Sequence, residues 1–166
     1  NFILNSPGVM SDGEKVEFGF REHLYGQCWS IRVESDAMWR VFAPLKNGVK
    51  IRTTVTKLYN SLYRQAAQNN RDIACFIGRV KYMTKNELTK FVNNFNPIDR
   101  RGDRIAETLL IKRKPFSHER EVRLIFFQHN EKMVSKPTCV YRFNPIEIID
   151  RIVFDPRMDV NLFNIY

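Results

Sequence analysis

The sequence has few cysteines and no long apolar run. Its three cysteines, Cys28, Cys75 and Cys139, lie far apart and form no CxxC pair, which argues against a disulfide framework and against a zinc site. We therefore expect three reduced thiols in a cytoplasmic protein, and no bound metal. No apolar stretch approaches the roughly 20 residues that a membrane helix needs, so no association with a membrane is expected.

Several motifs that define enzyme classes are also missing. The glycine signatures of P-loops and Rossmann domains are absent, as are HExxH and GxSxG. The N-terminus has neither an initiator Met nor the basic start and apolar run of a secretory signal. We expect the numbered chain to be a fragment, a processed product or part of a longer protein. The sequence carries no signal for the oligomeric state.

Positive charge is the strongest bulk property of the chain. Lys and Arg total 27 against 18 Asp and Glu, which gives a net charge of +9. Such a surface favours polyanions, either nucleic acid or a phosphorylated small molecule. The residues predicted to clamp phosphates are Arg100, Arg101, Lys112, Arg113 and Lys114. The alternative is a solvated basic surface that binds nucleic acid only through charge.

The pattern of strands and helices predicts one α+β domain. A chain of 166 residues is about one domain long, and we divide it into an N-terminal arm at 1–20 and a single domain at 21–166. Strands are predicted at 23–33, 49–54, 73–82, 118–128, 138–143 and 148–154, and helices at 37–43, 55–69, after Thr84, at 103–112 and from 158 onward. Because these lack a regular βαβ rhythm, we expect a mixed, mostly antiparallel sheet flanked by helices.

One predicted strand carries an unusual set of charges. In the segment 118–128, Glu119, Glu121 and Arg123 alternate and would share one face of a strand. Charges that enter an apolar strand are costly unless they are paired. One glutamate held near Arg123 would stay ionised while its neighbour orients a sugar hydroxyl or acts as a general base. The alternative is a ladder of cross-strand salt bridges at a sheet edge.

Two tryptophans mark a second candidate site. Trp29 lies next to Ser30 on a predicted strand, and Trp39 follows Met38 on a predicted short helix. Such a strand and helix could form the wall of a pocket for a flat ligand, such as a nicotinamide or a base. The alternative is that both tryptophans anchor the core.

The order of these segments resembles a known family. Cys28-Trp29-Ser30, then Ser35-Asp36-Ala37-Met38-Trp39, then Gly48 to Thr54, and finally His118 to Arg123 resemble the bacterial domain-of-unknown-function family 2971, over roughly residues 20 to 160. Members of the family begin with an aromatic-basic strand and an Asn-Asp-Pro segment that this chain lacks. We therefore expect a truncated N-terminus, or a divergent subgroup in which Arg21 and Tyr25 replace the lost elements.

The same segments are also similar in order to those of ADP-ribosyltransferases, which often carry a Glu-x-Glu pair on a late strand. The resemblance implies that Glu121 is the catalytic glutamate, Glu119 its partner, Ser30 the central strand residue, and Arg21 or His23 the early one. Arg123 would complete the catalytic group, and Trp29, Met38 and Trp39 would line an NAD site. The expected activity is that of an NAD-using effector with a toxin or phage-defence role. The alternatives are a basic module that binds nucleic acid or a partner without catalysis, and a metal-dependent nuclease.

Overall fold

The computed structural model describes residues 8–9, 15–16, 23–69, 73–95, 102–128 and 138–165. Within these ranges strands and helices are interspersed, as an α+β fold requires. In chain order the elements are β1 (Gly8–Val9), β2 (Lys15–Val16), β3 (Leu24–Ser30), α1 (Asp36–Phe42), β4 (Val49–Arg52), α2 (Val55–Asn69), β5 (Ile73–Arg79), β6 (Lys81–Met83), α3 (Lys85–Asn93), α4 (Gly102–Leu109), β7 (Ile111–Arg113), a 3-10 helix (Lys114–Glu119), β8 (Glu121–Gln128), α5 (Pro145–Ile148), β9 (Arg151–Phe154) and α6 (Val160–Phe163).

A three-stranded antiparallel sheet forms the centre of the fold. Strand β8 lies between β3 and β5, and helix α2 packs against β5. The middle of β8 is the most deeply buried part, with Leu124 2% and Ile125 0% exposed. Burial of a long apolar side chain at such a position stabilises the fold by about 1.5–3 kcal/mol.

The register of β3 against β8 decides which side chains share a face. Ser30 pairs with Glu121 and Cys28 pairs with Arg123. Since directly opposed residues of an antiparallel pair point to the same side, these four side chains lie on one face of the sheet. The polar end of β8 therefore meets the polar end of β3.

The remaining strands form small two-stranded sheets. Strand β4 pairs with β9 and β1 with β2, both antiparallel, whereas β6 and β7 are parallel. The prediction of a mixed, mostly antiparallel α+β fold is confirmed. In the predicted N-terminal arm, the structure describes β1 and β2.

Helix α1 sits close to the strand that follows it. Ser35 caps its N-terminus by accepting from the amide of Met38, at 3.4 Å. The buried Trp39 donates from Nε1 to Glu34 Oε1 at 3.0 Å. At the other end, a Cβ placed on Gly48 would lie 2.4 Å from Cβ of Ala43, so this approach requires a glycine.

The charged segment differs from its prediction. A single strand over 118–128 is wrong, because the 3-10 helix occupies the chain up to Glu119 and the strand starts at Glu121. Pro115 lies in the first turn of that helix, and Arg120 takes a left-handed conformation with φ 44°. Pro favours such a turn and has no amide hydrogen for a ladder. Glu119 therefore reaches the site from a turn and not from the strand.

Several further predicted elements differ from the structure. Residues 138–143 have no regular structure, and the strand predicted over 148–154 begins at Arg151, after α5. The helix predicted to run to 112 ends at Leu109, because Ile111–Arg113 pairs with β6 instead. The strand predicted over 73–82 is split at Val80, whose amide donates to the carbonyl of Glu121. The last three misses involve segments whose strand pairing depends on a distant partner.

Within the described ranges, no helix has both the length and the apolar character needed to cross a membrane.

Candidate functional site

A lysine bridges the two glutamates of the charged segment. Lys112 on β7 forms an ion pair with Glu119, and its Nζ lies 3.3 Å from Glu121 Oε2. The 3-10 helix returns the chain from β7 to β8, which brings both carboxylates to the same ammonium group. The three side chains are largely withdrawn from solvent, with 27%, 15% and 5% exposed for Lys112, Glu119 and Glu121.

Arg123 holds the second side of Glu121. Its Nε lies 2.8 Å from Glu121 Oε1 and its Nη2 lies 3.1 Å from Oε2. Its Nη1 donates to the backbone carbonyl of Leu109. Two parallel N–H···O bonds between a guanidinium and a carboxylate fix direction as well as distance. Glu121 is therefore held rigidly at the start of β8.

These contacts set the charge of the cluster. Burial by itself would raise the pKa of Glu121, but hydrogen bonds from Arg123 and Cys28 and the charges of Arg123 and Lys112 lower it to about 2. Although burial would lower the pKa of Lys112, its bonds to Glu119 and Glu121 raise it. The pKa of Arg123 is likewise raised by Glu121 against the effect of burial. At neutral pH Glu121 is a carboxylate and both cations are charged.

The Cys28 thiol belongs to the same cluster as a hydrogen-bonding group. Burial raises its pKa, and the hydrogen bond and negative charge of Glu121 raise it further, while Arg123 acts in the opposite direction. A thiol with a raised pKa is a poor nucleophile at neutral pH. Cys28 is thus suited to donating a hydrogen bond to Glu121.

Ser30 fixes the turn that carries Glu119. Its hydroxyl donates to the carbonyl of Glu119 at 2.6 Å and accepts from the amide of Arg32 at 3.1 Å. The amide of Ile31 donates to the carbonyl of Arg120 at 3.1 Å. These bonds join the end of β3 to the turn before β8, so Ser30 positions the glutamate pair through the backbone.

Two clefts open beside this cluster. The smaller has a volume of about 690 Å³ and lies between β3, α1, β4 and the turn before β8. It brings together seven residues that the sequence singled out: Trp29, Ser30, Met38, Trp39, Lys112, Glu119 and Glu121. Met38 and Trp39 come from α1, while Glu119 and Glu121 come from the 3-10 helix and the start of β8.

The larger cleft has a volume of about 1010 Å³ and lies between β3, α3, β7 and the 3-10 helix. Arg113, Lys114 and Arg123 line it. Lys112 and Cys28 line both clefts, so the two share a wall at the charged cluster.

Other predicted site residues lie elsewhere. His23 comes immediately before β3, at the end opposite Ser30, and lines neither of these clefts. Trp29 touches the smaller cleft but pairs with Val122, on the sheet face away from Glu121, and its Nε1 donates to Gln27 Oε1 at 3.1 Å. Arg21, Arg100 and Arg101 lie outside the described residues.

Three residues contribute to the site in ways that the sequence does not predict. Lys112, predicted to clamp phosphates, lies between two carboxylates. Cys28, expected only to be a reduced thiol, contacts Glu121, and the hydroxyl of Tyr82 accepts from the amide of Glu121 at 2.8 Å. The place of Cys28 in the site could have been predicted, because Cys28 and Ser30 alternate along one strand and share a face. The contact of Tyr82 with Glu121 has no signal in the neighbouring sequence. Among the described residues, no group of three His, Cys, Asp or Glu side chains could hold a metal ion.

Comparison with known proteins places the chain in a family. Neither a curated protein nor a solved structure matches the chain. The sequence model of one family, a protein of unknown function (DUF2971), matches residues 38–124. This range covers more than half of the chain and extends from α1, through the bridging lysine and both glutamates, to the middle of β8. The chain therefore belongs to the DUF2971 family.

Proposed function

We propose that the smaller cleft binds NAD and that this protein catalyses an ADP-ribosyltransferase-like reaction there. The observation that supports the proposal is the meeting of Glu119, Glu121 and Ser30 with Met38 and Trp39 around one cleft. The two carboxylates match the polar ribose of a nicotinamide riboside, and the apolar side chains of α1 match its ring. A volume of about 690 Å³ is within the range of about 300–1,000 Å³ that is usual for small-molecule sites.

The cleft also has positive charge for a pyrophosphate. Arg32 and Lys50 line it together with Lys112. Lys50 is paired with Glu34 at 3.1 Å, and Arg32 donates to the carbonyl of His118 at 3.0 Å. Partly exposed guanidinium and ammonium groups at the mouth of a cleft are suited to phosphate oxygens.

The proposed reaction breaks the bond between the ribose C1′ and the nicotinamide nitrogen. The bonding electrons leave with nicotinamide, which departs as a neutral molecule, and positive charge develops at the ribose. Water or an acceptor nucleophile then bonds to C1′ and releases a proton to solvent. A carboxylate whose pKa is about 2 stays ionised throughout, so Glu121 would accept a ribose hydroxyl hydrogen bond and stabilise the developing charge.

Glu119 is the more accessible of the two carboxylates. It is 15% exposed against 5% for Glu121, and its carbonyl is held by Ser30. Because it pairs with Lys112 and is not clamped by Arg123, it can move toward a bound ligand at lower cost. We assign it to orienting the ribose.

The test is thermal unfolding of the protein with and without NAD, together with an assay of nicotinamide release. Ligand at about 100 times its dissociation constant stabilises a protein by about 2.7 kcal/mol, which is readily measured as a shift in Tm. We expect the shift and the release in wild type and in Glu147→Gln, a control at an exposed glutamate on α5. Glu119→Gln and Glu121→Gln should lose nicotinamide release.

Two results would overturn the proposal. One is the absence of both an NAD-dependent Tm shift and nicotinamide release in wild type. The other is unchanged release in Glu119→Gln, which is the decisive variant because Glu121→Gln leaves two half-buried cations without their full partner and is less stable. A toxin role further predicts that expression slows the growth of a host cell and that Glu119→Gln relieves the effect.

A further inference from the structure

The larger cleft has a lining of one charge sign. Among the described residues, five basic side chains and no carboxylate line it: Lys85, Lys112, Arg113, Lys114 and Arg123. Lys112 and Arg123 are turned toward Glu121. Lys85, Arg113 and Lys114 are exposed, and none of these three forms a salt bridge within the described part of the chain. Lys114 acts electrostatically on Glu87 at the start of α3, and the charges of Lys85 and Arg113 are available to a ligand.

The interior of the same cleft is apolar. Leu24, Leu88, Val92 and Phe116 contribute to its walls, and Val92 is 40% exposed. The ring of Phe116 lies 5.0 Å from Lys112 Nζ and 5.3 Å from Arg113 Cζ. A half-buried aromatic ring next to cations is suited to a ligand with two parts: a flat group that packs on the ring and an anionic group that contacts the cations.

Gly26 leaves the floor of the cleft open. It lies on the same face of β3 as Cys28, opposite Ile125, and lines the cleft. A Cβ placed there would have no other heavy atom within 4 Å. The space above Gly26 is therefore free of described protein atoms, and a side chain could be added there without a clash.

We propose that the larger cleft binds single-stranded nucleic acid, with phosphates on Lys85, Arg113 and Lys114 and a base against Phe116 and the apolar walls. A net charge of +9 favours a polyanion, and an apolar interior requires a base that is not stacked in a duplex. A volume of about 1010 Å³ accommodates a short stretch of strand. The shared wall at Lys112 would place this strand beside Glu121, although the binding itself requires no NAD.

The first experiment measures fluorescence anisotropy of a labelled single strand of about 12 nucleotides, in DNA and in RNA, over a series of salt concentrations. The test variant is Arg113→Gln with Lys114→Gln. Its control is Arg52→Gln with Arg151→Gln, which removes the same charge from the exposed, paired positions on β4 and β9. We expect at least tenfold weaker binding and a reduced salt slope for the test pair, and less than twofold weakening for the control.

The second experiment fills the cleft without changing its charge. Gly26→Leu should abolish binding of the single strand while the protein keeps its Tm, and Gly26→Ala should bind nearly as wild type does. Competition with a duplex of the same sequence and with heparin tests whether the site prefers unstacked bases.

Three results would overturn the proposal. They are the absence of binding in wild type, equal weakening in the test and control charge pairs, or displacement by duplex and heparin as effective as by the unlabelled single strand. The last two would identify the binding as a general effect of positive charge. Because this assay contains no NAD and the NAD assay contains no oligonucleotide, either proposal can fail while the other stands.

Discussion

Glu121 and Arg123, two positions apart on β8, face the same side of the sheet and are joined by two hydrogen bonds of 2.8 and 3.1 Å. Neighbours at this spacing on a strand are about 6.5–7 Å apart along the backbone, so long side chains are needed to close the distance. The pair lies between the two clefts, since Glu121 lines one and Arg123 the other. The charge state of the Glu121–Arg123 pair therefore affects both clefts.

Acid should destabilise the protein through Glu121. Its pKa in the folded protein is about 2, below the ordinary value of 4.5. A lowered pKa gives stability that is complete above 4.5 and is lost as the pH falls toward 2. The shift corresponds to about 3 kcal/mol. Urea unfolding between pH 6 and pH 2 should show this loss in wild type and a smaller loss in Glu121→Gln.

The control for that series is Glu147→Gln, which removes an exposed carboxylate outside the charged cluster and leaves the ion pairs of Glu121 in place. If Glu121→Gln had the same slope as wild type below the ordinary glutamate pKa, the ion pairs of Glu121 would not stabilise the folded state.

Alkylation of Cys28 should report on its contact with Glu121. Burial raises the pKa of this thiol, and the hydrogen bond and charge of Glu121 raise it further. Glu121→Gln removes the negative charge and leaves Arg123, which lowers the pKa. In a Cys75→Ser, Cys139→Ser background, iodoacetamide should therefore react slowly with Cys28 near pH 8 and faster in Glu121→Gln.

Alkylation rates of Cys28 measured in denaturant serve as the reference for that comparison, because the thiol should react equally fast in the unfolded parent and in unfolded Glu121→Gln. A rate for folded Glu121→Gln that is equal to or below that of the parent would show that Glu121 does not act on the thiol.

Gly48→Ala should destabilise the protein, whereas Gly26→Ala should not. A Cβ at Gly48 would lie 2.4 Å from Cβ of Ala43, but at Gly26 it would enter open space. Overpacking of this kind costs about 1–3 kcal/mol, and replacing a strand glycine where there is room is neutral or stabilises by about 0.5–1 kcal/mol. Urea unfolding of the two variants measures the difference, and equal stabilities would contradict the close approach of α1 to Gly48.

Thr84→Ala should loosen the helix that forms one wall of the larger cleft. Thr84 accepts from the amide of Glu87 at 3.4 Å, and Glu87 accepts from the amide of Thr84 at 2.7 Å. Loss of such a cap costs about 1 kcal/mol. Thr89→Ala, within the same helix, removes a hydroxyl that donates to the carbonyl of Lys85 in the preceding turn and should be neutral or slightly stabilising. Chemical unfolding that ranks the two variants in the opposite order would contradict the capping role.

Local signals in the sequence are sufficient for several elements. The Ser35 cap locates α1, the Thr84 and Glu87 spacing locates the start of α3, and the Asn47-Gly48 turn precedes β4. Each of these features depends on residues within about four positions of one another. Charges in an otherwise apolar segment likewise mark Glu119, Glu121 and Arg123 as candidates from the sequence alone.

The arrangement of the site was decided by contacts between distant positions. Ser30 and Glu119 are 89 residues apart, yet their hydrogen bond fixes the turn before β8. The left-handed Arg120 moves Glu119 off the strand, and the pairing of β7 with β6 brings Lys112 to both carboxylates.

By itself, the sequence determined the fold class, the family segments and the candidate charges, because propensities, caps and alternation act over a few residues. Only the tertiary structure decided that Lys112 bridges the glutamates, that Cys28 faces Arg123 and that Glu121 stays ionised. Those outcomes depend on strand register and on burial, and both arise when distant segments pack together.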